Sequence, residues 1–179
     1  GFKGQKVDVN VSTAQWEIAK DGNTLIQPLS SIKGMGDKAI EQIINNRPFN
    51  SPEDLLFSEN VVYSKLNKKA LQALAESGAL DSLVDERFTG LKHFTESCIE
   101  NRPKTKKKMI QHIDEHKVED DYTSEERIEH ISSRTGIYPF DLVMSPEIRE
   151  MIDRYKVPPL GKWDQALKSA WFIPRSITK

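Results

Sequence analysis

Leu29-Ser30-Ser31-Ile32-Lys33-Gly34-Met35-Gly36-Asp37-Lys38-Ala39-Ile40 decides the fold of this chain. Leu29 and Ile32 end one helical turn, and Ala39, Ile40, Ile43 and Ile44 recur at helical spacing in the next, with polar Lys38, Glu41, Gln42 and Asn45 between them. Two glycines around one apolar residue predict a tight hairpin between the helices, with Gly34 and Gly36 taking positive φ without a Cβ penalty and Met35 pinning the helices together. Asp37 is placed to cap the second helix, and Pro48 stops it after Arg47. Free N–H groups at Gly36, Asp37 and Lys38 open that helix where its dipole favours an anion, and glycines without side chains let a phosphate reach the main chain. Lys33 and Lys38 add charge at the rim. A tight turn with no ligand is the competing reading of the same residues.

Outward from this block, a related unit follows. Ser51-Pro52-Glu53-Asp54 is a good start for a short apolar helix, Leu55-Leu56-Phe57. Asn67 caps a helix carrying Ala70, Leu71, Leu74 and Ala75, Gly78 ends it in the left-handed conformation, and Asp81 or Ser82 starts another helix towards Ile99, with an interruption at Gly90. The unit of helix, hairpin and helix thus occurs twice. The second lacks the second glycine, which favours a structural partner for the first, although Lys65, Lys68 and Lys69 on its leading helix are in reach of phosphate.

Upstream, Val7, Val9 and Val11 alternate with Asp8, Asn10 and Ser12, the period of a half-buried strand, and Trp16–Ile26 reads as a hairpin around Lys20-Asp21-Gly22-Asn23. Downstream, Arg102–Lys108 is a basic break whose Lys104–Lys108 run is either solvated or an auxiliary DNA contact, and Asp114–Glu129 is acid-rich, a surface helix or loose linker. Order returns at Gly136-Ile137-Tyr138-Pro139-Phe140, and Ser145-Pro146-Glu147 starts a helix with Ile148, Met151, Ile152 and Tyr155 on one face. Val157-Pro158-Pro159 ends it, and Trp171–Lys179 reads as a strand. Tyr138, Trp163, Trp171 and Phe172 fall in apolar stretches and read as core. The expected fold is mainly α: a small N-terminal β hairpin over 1–28, a tandem helix-hairpin-helix over 29–100, a charged linker or surface helix over 101–130, and a C-terminal helical extension over 131–179.

Of the 179 residues 37% are hydrophobic and 30% charged, and the net charge is −1, so the chain is no uniformly basic nucleic-acid binder; any DNA contact must come from a local patch or from main-chain groups. The single cysteine, Cys98, excludes an internal disulfide and suits a reducing cytoplasm. His112 and His116 share a helix face at metal-ligand spacing, but beside Glu115 and Lys117 they read as a solvated polar face. No membrane-spanning run or signal peptide is present, and a start without Met predicts a piece of a longer protein.

Four blocks together carry a resemblance. Val7-Asp8-Val9-Asn10-x-Ser12, Leu29–Gly36, Phe49-Asn50-Ser51-Pro52-Glu53-Asp54-Leu55 and Leu66-Asn67-Lys68-Lys69-Ala70-Leu71 through Ser77-Gly78-Ala79-Leu80-Asp81 resemble, in order, four segments of the bacterial-type C-family replicative polymerases, the DNA polymerase III alpha subunits, in the region after the fingers. Beyond Leu83 the match weakens. Gly136-Ile137-Tyr138-Pro139-Phe140-Asp141 is similar to the segment before that family's OB domain but lacks its Ser-Gly-His, a divergence that suits a phage or prophage version. No Q-x-x-Φ-F peptide is found, neither at Gln111 nor at Gln165, which leaves the sliding clamp open as a partner.

The resemblance implies a non-catalytic, sequence-independent grip on duplex DNA or primer-template, through Lys33, Gly34, Met35, Gly36, Asp37, Lys38 and Arg47 and, from the second unit, Lys68, Lys69, Gly78 and Ala79, with the other domains of a parent polymerase as further partners. Binding of this kind reads phosphate and depends steeply on salt. Nucleotidyl transfer would belong to palm aspartates holding Mg²⁺ elsewhere in the parent; Asp8, Asp21, Asp37, Asp54 and Asp81 sit at turns and caps, and no cofactor or metal is expected in this segment. A helix-hairpin-helix module of a repair nuclease or ligase, or a protein-interaction domain, are the alternatives.

Overall fold

The computed structural model describes residues 3–157 and residue 170, and the chain divides into two compact units, residues 1–139 and 140–179. The first unit opens with a small sheet of β1 (Lys3–Gln5), β2 (Glu17–Ile18) and β3 (Thr24–Ile26), in the order β1-β3-β2. β2 and β3 form the expected antiparallel hairpin, Ile18 facing Leu25, and β1 lies parallel to β3 with Lys3 facing Thr24. Its turn is made by Asp21, whose carboxylate accepts the Thr24 hydroxyl and the N–H groups of Asn23 and Thr24, and by Gly22 at φ +70°. Those bonds, that from the Thr24 hydroxyl first, hold the Asp21 carboxyl below its ordinary range.

The valine alternation does not make a strand. The Asp8 carboxylate accepts the N–H of Asn10, the Ser12 hydroxyl accepts the N–H of Asp8, and the Asp8 carbonyl accepts the N–H groups of Val11 and Ser12. These short polar side chains offer the backbone partners closer than a neighbouring strand, so the segment folds into turns. Val7 and Val9 are buried, but Val11 is 41% exposed. The Asn10 amide then makes two bonds to the main chain of Phe49, and Ser12 receives the Arg47 guanidinium on its carbonyl, which ties this loop to the end of the next helix.

A single 3-10 turn at Leu29–Ser31 leads through the hairpin into α1 (Asp37–Asn46). α2 (Pro52–Phe57) begins as expected, the Ser51 hydroxyl accepting the N–H of Asp54, and α3 (Lys68–Ser77) is capped by Asn67 on Ala70 and ended by Gly78 at φ +83°. The helix expected from Asp81 is only a 3-10 turn, Asp81–Leu83; the next helix, α4 (Leu91–Phe94), starts after Gly90 and continues as a π-helical stretch, Thr95–Glu100. The core is built where these elements meet: Leu29, Ile32, Ile43, Phe49, Leu55, Leu56, Leu66, Leu71, Leu74, Leu80 and Phe94 are all but inaccessible.

Residues 101–130, expected as a linker or surface helix, carry α5 (Lys106–Glu115) and the start of α6 (Ser124–Thr135), and both pack into this unit. α5 lies on the π-helical stretch, with Met109 and Ile113 buried, and α6 lies along α3. A capping box of Thr123 and Glu126 starts α6, and Gly136 at φ +70° ends it.

In the second unit, α7 (Phe140–Val143) precedes α8 (Pro146–Tyr155), which the Ser145 hydroxyl caps at Ile148, as its sequence predicts. The expectations for Pro158-Pro159, Trp163, Gln165 and Trp171–Lys179 lie outside the described residues. Among the described residues no helix is long and apolar enough to cross a membrane.

Candidate nucleic-acid interface

Ile32, Lys33, Gly34 and Met35 form a four-residue turn closed by the Met35 N–H on the Ile32 carbonyl at 3.1 Å. Gly34, its third residue, has φ +99°, which makes it a type II turn and requires glycine there. Ile32 is buried, Met35 packs half-buried against the core, and Ala39 is buried just inside α1, so apolar contacts fix the turn from below.

Gly36 differs from expectation. Its φ of −95° and ψ of 158° are open to any residue, and it is Gly36, not Asp37, that occupies the N-cap position; no side chain caps the helix. Asp37 is the first helical residue, its carboxylate lying where the helix dipole favours it. What glycine provides at 36 is space, since a Cβ there would meet nothing within 4 Å. The absent cap matters chemically: among the described residues the N–H groups of Gly34, Gly36, Asp37 and Lys38 meet no protein acceptor. All four residues are exposed, as is Lys33. Exposed donors converging on the start of a ten-residue helix, with a lysine on either side, form a surface suited to an anion.

The other predicted contacts are arranged differently. Arg47 lies at the far end of α1, about 15 Å along the helix from the hairpin, and its guanidinium donates to the Ser12 carbonyl at 2.8 Å. Lys68 donates to the Glu100 carbonyl at 3.2 Å, and Lys69 is exposed. In the second hairpin the N–H of Gly78 goes to Ala75, that of Ala79 to Leu74 and that of Asp81 to Gly78, while Val9 donates to the Ala79 carbonyl. Ala79 and Leu80 are fully buried. The first hairpin turns its donors outward and the second turns them inward.

α6 touches both. Arg127 binds the Asp81 carboxylate at 2.6 Å beside Gly78. Two helical turns on, Arg134 accepts the Lys33 N–H on its carbonyl at 2.8 Å, donates through Nη1 to the Lys33 carbonyl at 3.3 Å, and binds Glu76 of α3 through Nε. Sequence reasoning missed both arginines. They lie in and just after an acid-rich stretch read as a surface helix or loose linker, and no local signal ties Arg134 to a turn 101 residues earlier.

Three candidate carboxylates are engaged locally, Asp8 with Asn10, Asp21 with Thr24 and Asp54 with the Asn50 N–H, and Asp81 pairs across the fold with Arg127. His112 and His116 stack, each with Nδ1 on a main-chain carbonyl. Among the described residues no three histidine, cysteine or acidic side chains converge on one point.

Two units, a 3-10 turn hairpinned through Gly34 onto α1 and α3 hairpinned through Gly78 onto a 3-10 turn, packed on one core with main-chain donors open at the first, define a helix-hairpin-helix protein in which one helix of each pair is shortened to a turn. The family model described as Helix-hairpin-helix motif matches residues 1–90, half of the chain, and the chain belongs to that family. The chain is also similar to the DNA polymerase III subunit alpha of Helicobacter pylori strain 26695 (41% identical over 108 residues), the PolC-type DNA polymerase III of Bacillus subtilis (39% over 94) and the alpha subunit of Pseudomonas aeruginosa (33% over 97). These alignments cover 55%, 51% and 53% of this chain but only 9%, 6% and 8% of the respective relatives. The resemblance read from the four sequence blocks therefore holds at the level of a DNA polymerase III alpha-type helix-hairpin-helix region.

Proposed function

We propose that this chain grips the sugar-phosphate backbone of duplex DNA through its first hairpin, without reading bases, and holds primer-template for a C-family polymerase of which it is a non-catalytic part. The observation that carries the reading is the set of exposed N–H groups on Gly34, Gly36, Asp37 and Lys38 that have no acceptor within the described protein. A phosphate oxygen satisfies such donors, and Lys33 and Lys38 neutralise its charge. The names of the relatives, DNA polymerase III alpha and PolC, point to replication as the setting. Phosphoryl transfer and its Mg²⁺ are assigned to the palm of the parent enzyme, because the aspartates here serve turns, caps and an ion pair. The buried second hairpin is read as the partner that holds the first in place.

The test is a titration of fluorescent primer-template duplexes of two unrelated sequences with the full chain, at about 50 and 200 mM salt, beside a Gly36→Val variant. Equal affinity for both sequences, weaker binding at high salt and loss of binding in Gly36→Val are expected. Absence of binding at low salt, or a Gly36→Val variant that binds like the parent, would leave the hairpins as packing or protein-interaction elements.

A further inference from the structure

The Lys33–Gly34 peptide is the central peptide of the type II turn, and its two polar groups point in opposite directions because a trans peptide is planar. Its carbonyl faces Arg134, at 3.3 Å from Nη1. Its N–H, which belongs to Gly34, therefore faces away from Arg134 towards the exposed side of the turn. The same turn can be closed with this peptide rotated by half a turn, as type I, which would aim the carbonyl oxygen where the N–H now stands. A glycine at the third position makes that rotation sterically easy.

Arg134 opposes the rotation through its guanidinium, which holds the Lys33 carbonyl, while its own carbonyl accepts the Lys33 N–H of the preceding peptide at 2.8 Å and so anchors the turn beside it. The guanidinium is itself fixed by Glu76 through Nε at 2.5 Å, so it is carried by α3 and α6 together. Nη1 and the Ala73 methyl also close the remaining side of Gly34, at 3.4 and 3.6 Å from where a Cβ would sit. A cationic donor on a peptide carbonyl further polarises that peptide and strengthens its N–H as a donor.

We infer that Arg134 is a positioning residue for DNA binding: it locks the Lys33–Gly34 peptide so that the Gly34 N–H is presented to phosphate before DNA arrives. The inference rests on the proposed backbone grip and adds to it a residue outside both hairpins. Arg134 acts through the peptide and not on the phosphate, with its charge already paired to Glu76.

The experiment uses the full chain with Arg134→Ala, Arg134→Lys and Glu76→Ala. Duplex affinity is measured across a salt series, and the Gly34 amide signal is followed by nitrogen-15 NMR in the same samples. Arg134→Ala is expected to bind roughly tenfold more weakly, the worth of one hydrogen bond involving a charged group, with an unchanged salt slope and a displaced or broadened Gly34 amide. Arg134→Lys, which can still donate to the Lys33 carbonyl, recovers part of the loss, and Glu76→Ala weakens binding in the same way with the guanidinium present. If Arg134→Ala does not fold, Glu76→Ala carries the test. A salt slope smaller by about 1 with the Gly34 amide unmoved would make Arg134 a direct phosphate ligand and overturn the inference. Variants that bind like the parent overturn it alone, whereas a parent chain that fails to bind removes the grip and the inference together.

Discussion

Gly34 and Gly36 stand two residues apart and do different work, which separates stability from binding at this hairpin. Gly34 sits at φ +99°, where any other residue is strained. Gly34→Ala is expected to cost about 1–2 kcal/mol of stability, read as a fall in denaturation midpoint with or without DNA. Gly36 is extended with open space beyond its Cα, so Gly36→Val should cost no more than about 1 kcal/mol, the difference between good and poor N-cap residues, while abolishing duplex binding. The motif made both glycines legible in the sequence; which of them needs its conformation and which needs its emptiness was not, because that depends on backbone angles set by Ile32 and Met35 seating in the core. Arg87 supports a prediction of a different kind. Its guanidinium holds the carboxyls of Glu53 and Asp85 below their ordinary ranges by direct hydrogen bonds. Depressed carboxyl pKa values stabilise the fold above about pH 4, the range of free carboxyls, and that contribution is lost as pH falls through the lower folded-state values. Arg87→Ala should therefore lower stability at neutral pH by roughly 1 kcal/mol, since the group is partly exposed, and the gap to the parent should narrow as pH falls below about 4.

Among the elements, those with local start and stop signals were readable from the chain. Ser51, Asn67 and Ser145 cap the helices their positions predict, and Gly78 ends α3 in the left-handed conformation. Elements completed from a distance were not. The valine alternation failed because Asp8, Asn10 and Ser12 bond their own backbone and Phe49. α4 lacks a cap in its own sequence: Gly90 precedes it, and the Lys92 N–H is accepted by Asp121 from the loop before α6, at 2.8 Å. Glycine is required at 90 for room, since a Cβ would lie 2.3 Å from the Asp121 carboxyl carbon. Gly90→Ala should displace Asp121, remove this borrowed cap and destabilise the chain by about 1–2 kcal/mol, measured by chemical denaturation. Asp121→Ala should cost about as much as losing an ordinary cap, ~1 kcal/mol, and the double variant little more than Gly90→Ala alone. α6 was hidden for a related reason. Ile131 is its one buried side chain among the described residues, and arginine pairs with Asp81 and Glu76 do much of its docking, so its pattern reads as solvated charge.

For the molecule as a whole, a net charge of −1 means that the proposed DNA grip rests on a patch and not on a general field. Lys33 and Lys38 flank the open donors, with Lys69 exposed on α3. Two or three neutralised phosphates predict a log–log salt slope of about −2 to −3, so the steep dependence expected from the sequence becomes a moderate one. A slope beyond about −6 in equilibrium titrations would require a much broader basic surface. The compact unit extends to residue 139, well past the residue 90 at which the family match ends, because α5 and α6 complete its packing. The clasp between Lys33 and Arg134 closes one of the longest loops in the chain, 101 residues. On the ribosome, where a chain grows at about 5–20 residues per second, the hairpin is made several seconds before its partner. A nascent chain thus carries a helix-hairpin-helix whose key turn stays unlatched until translation has passed the end of α6.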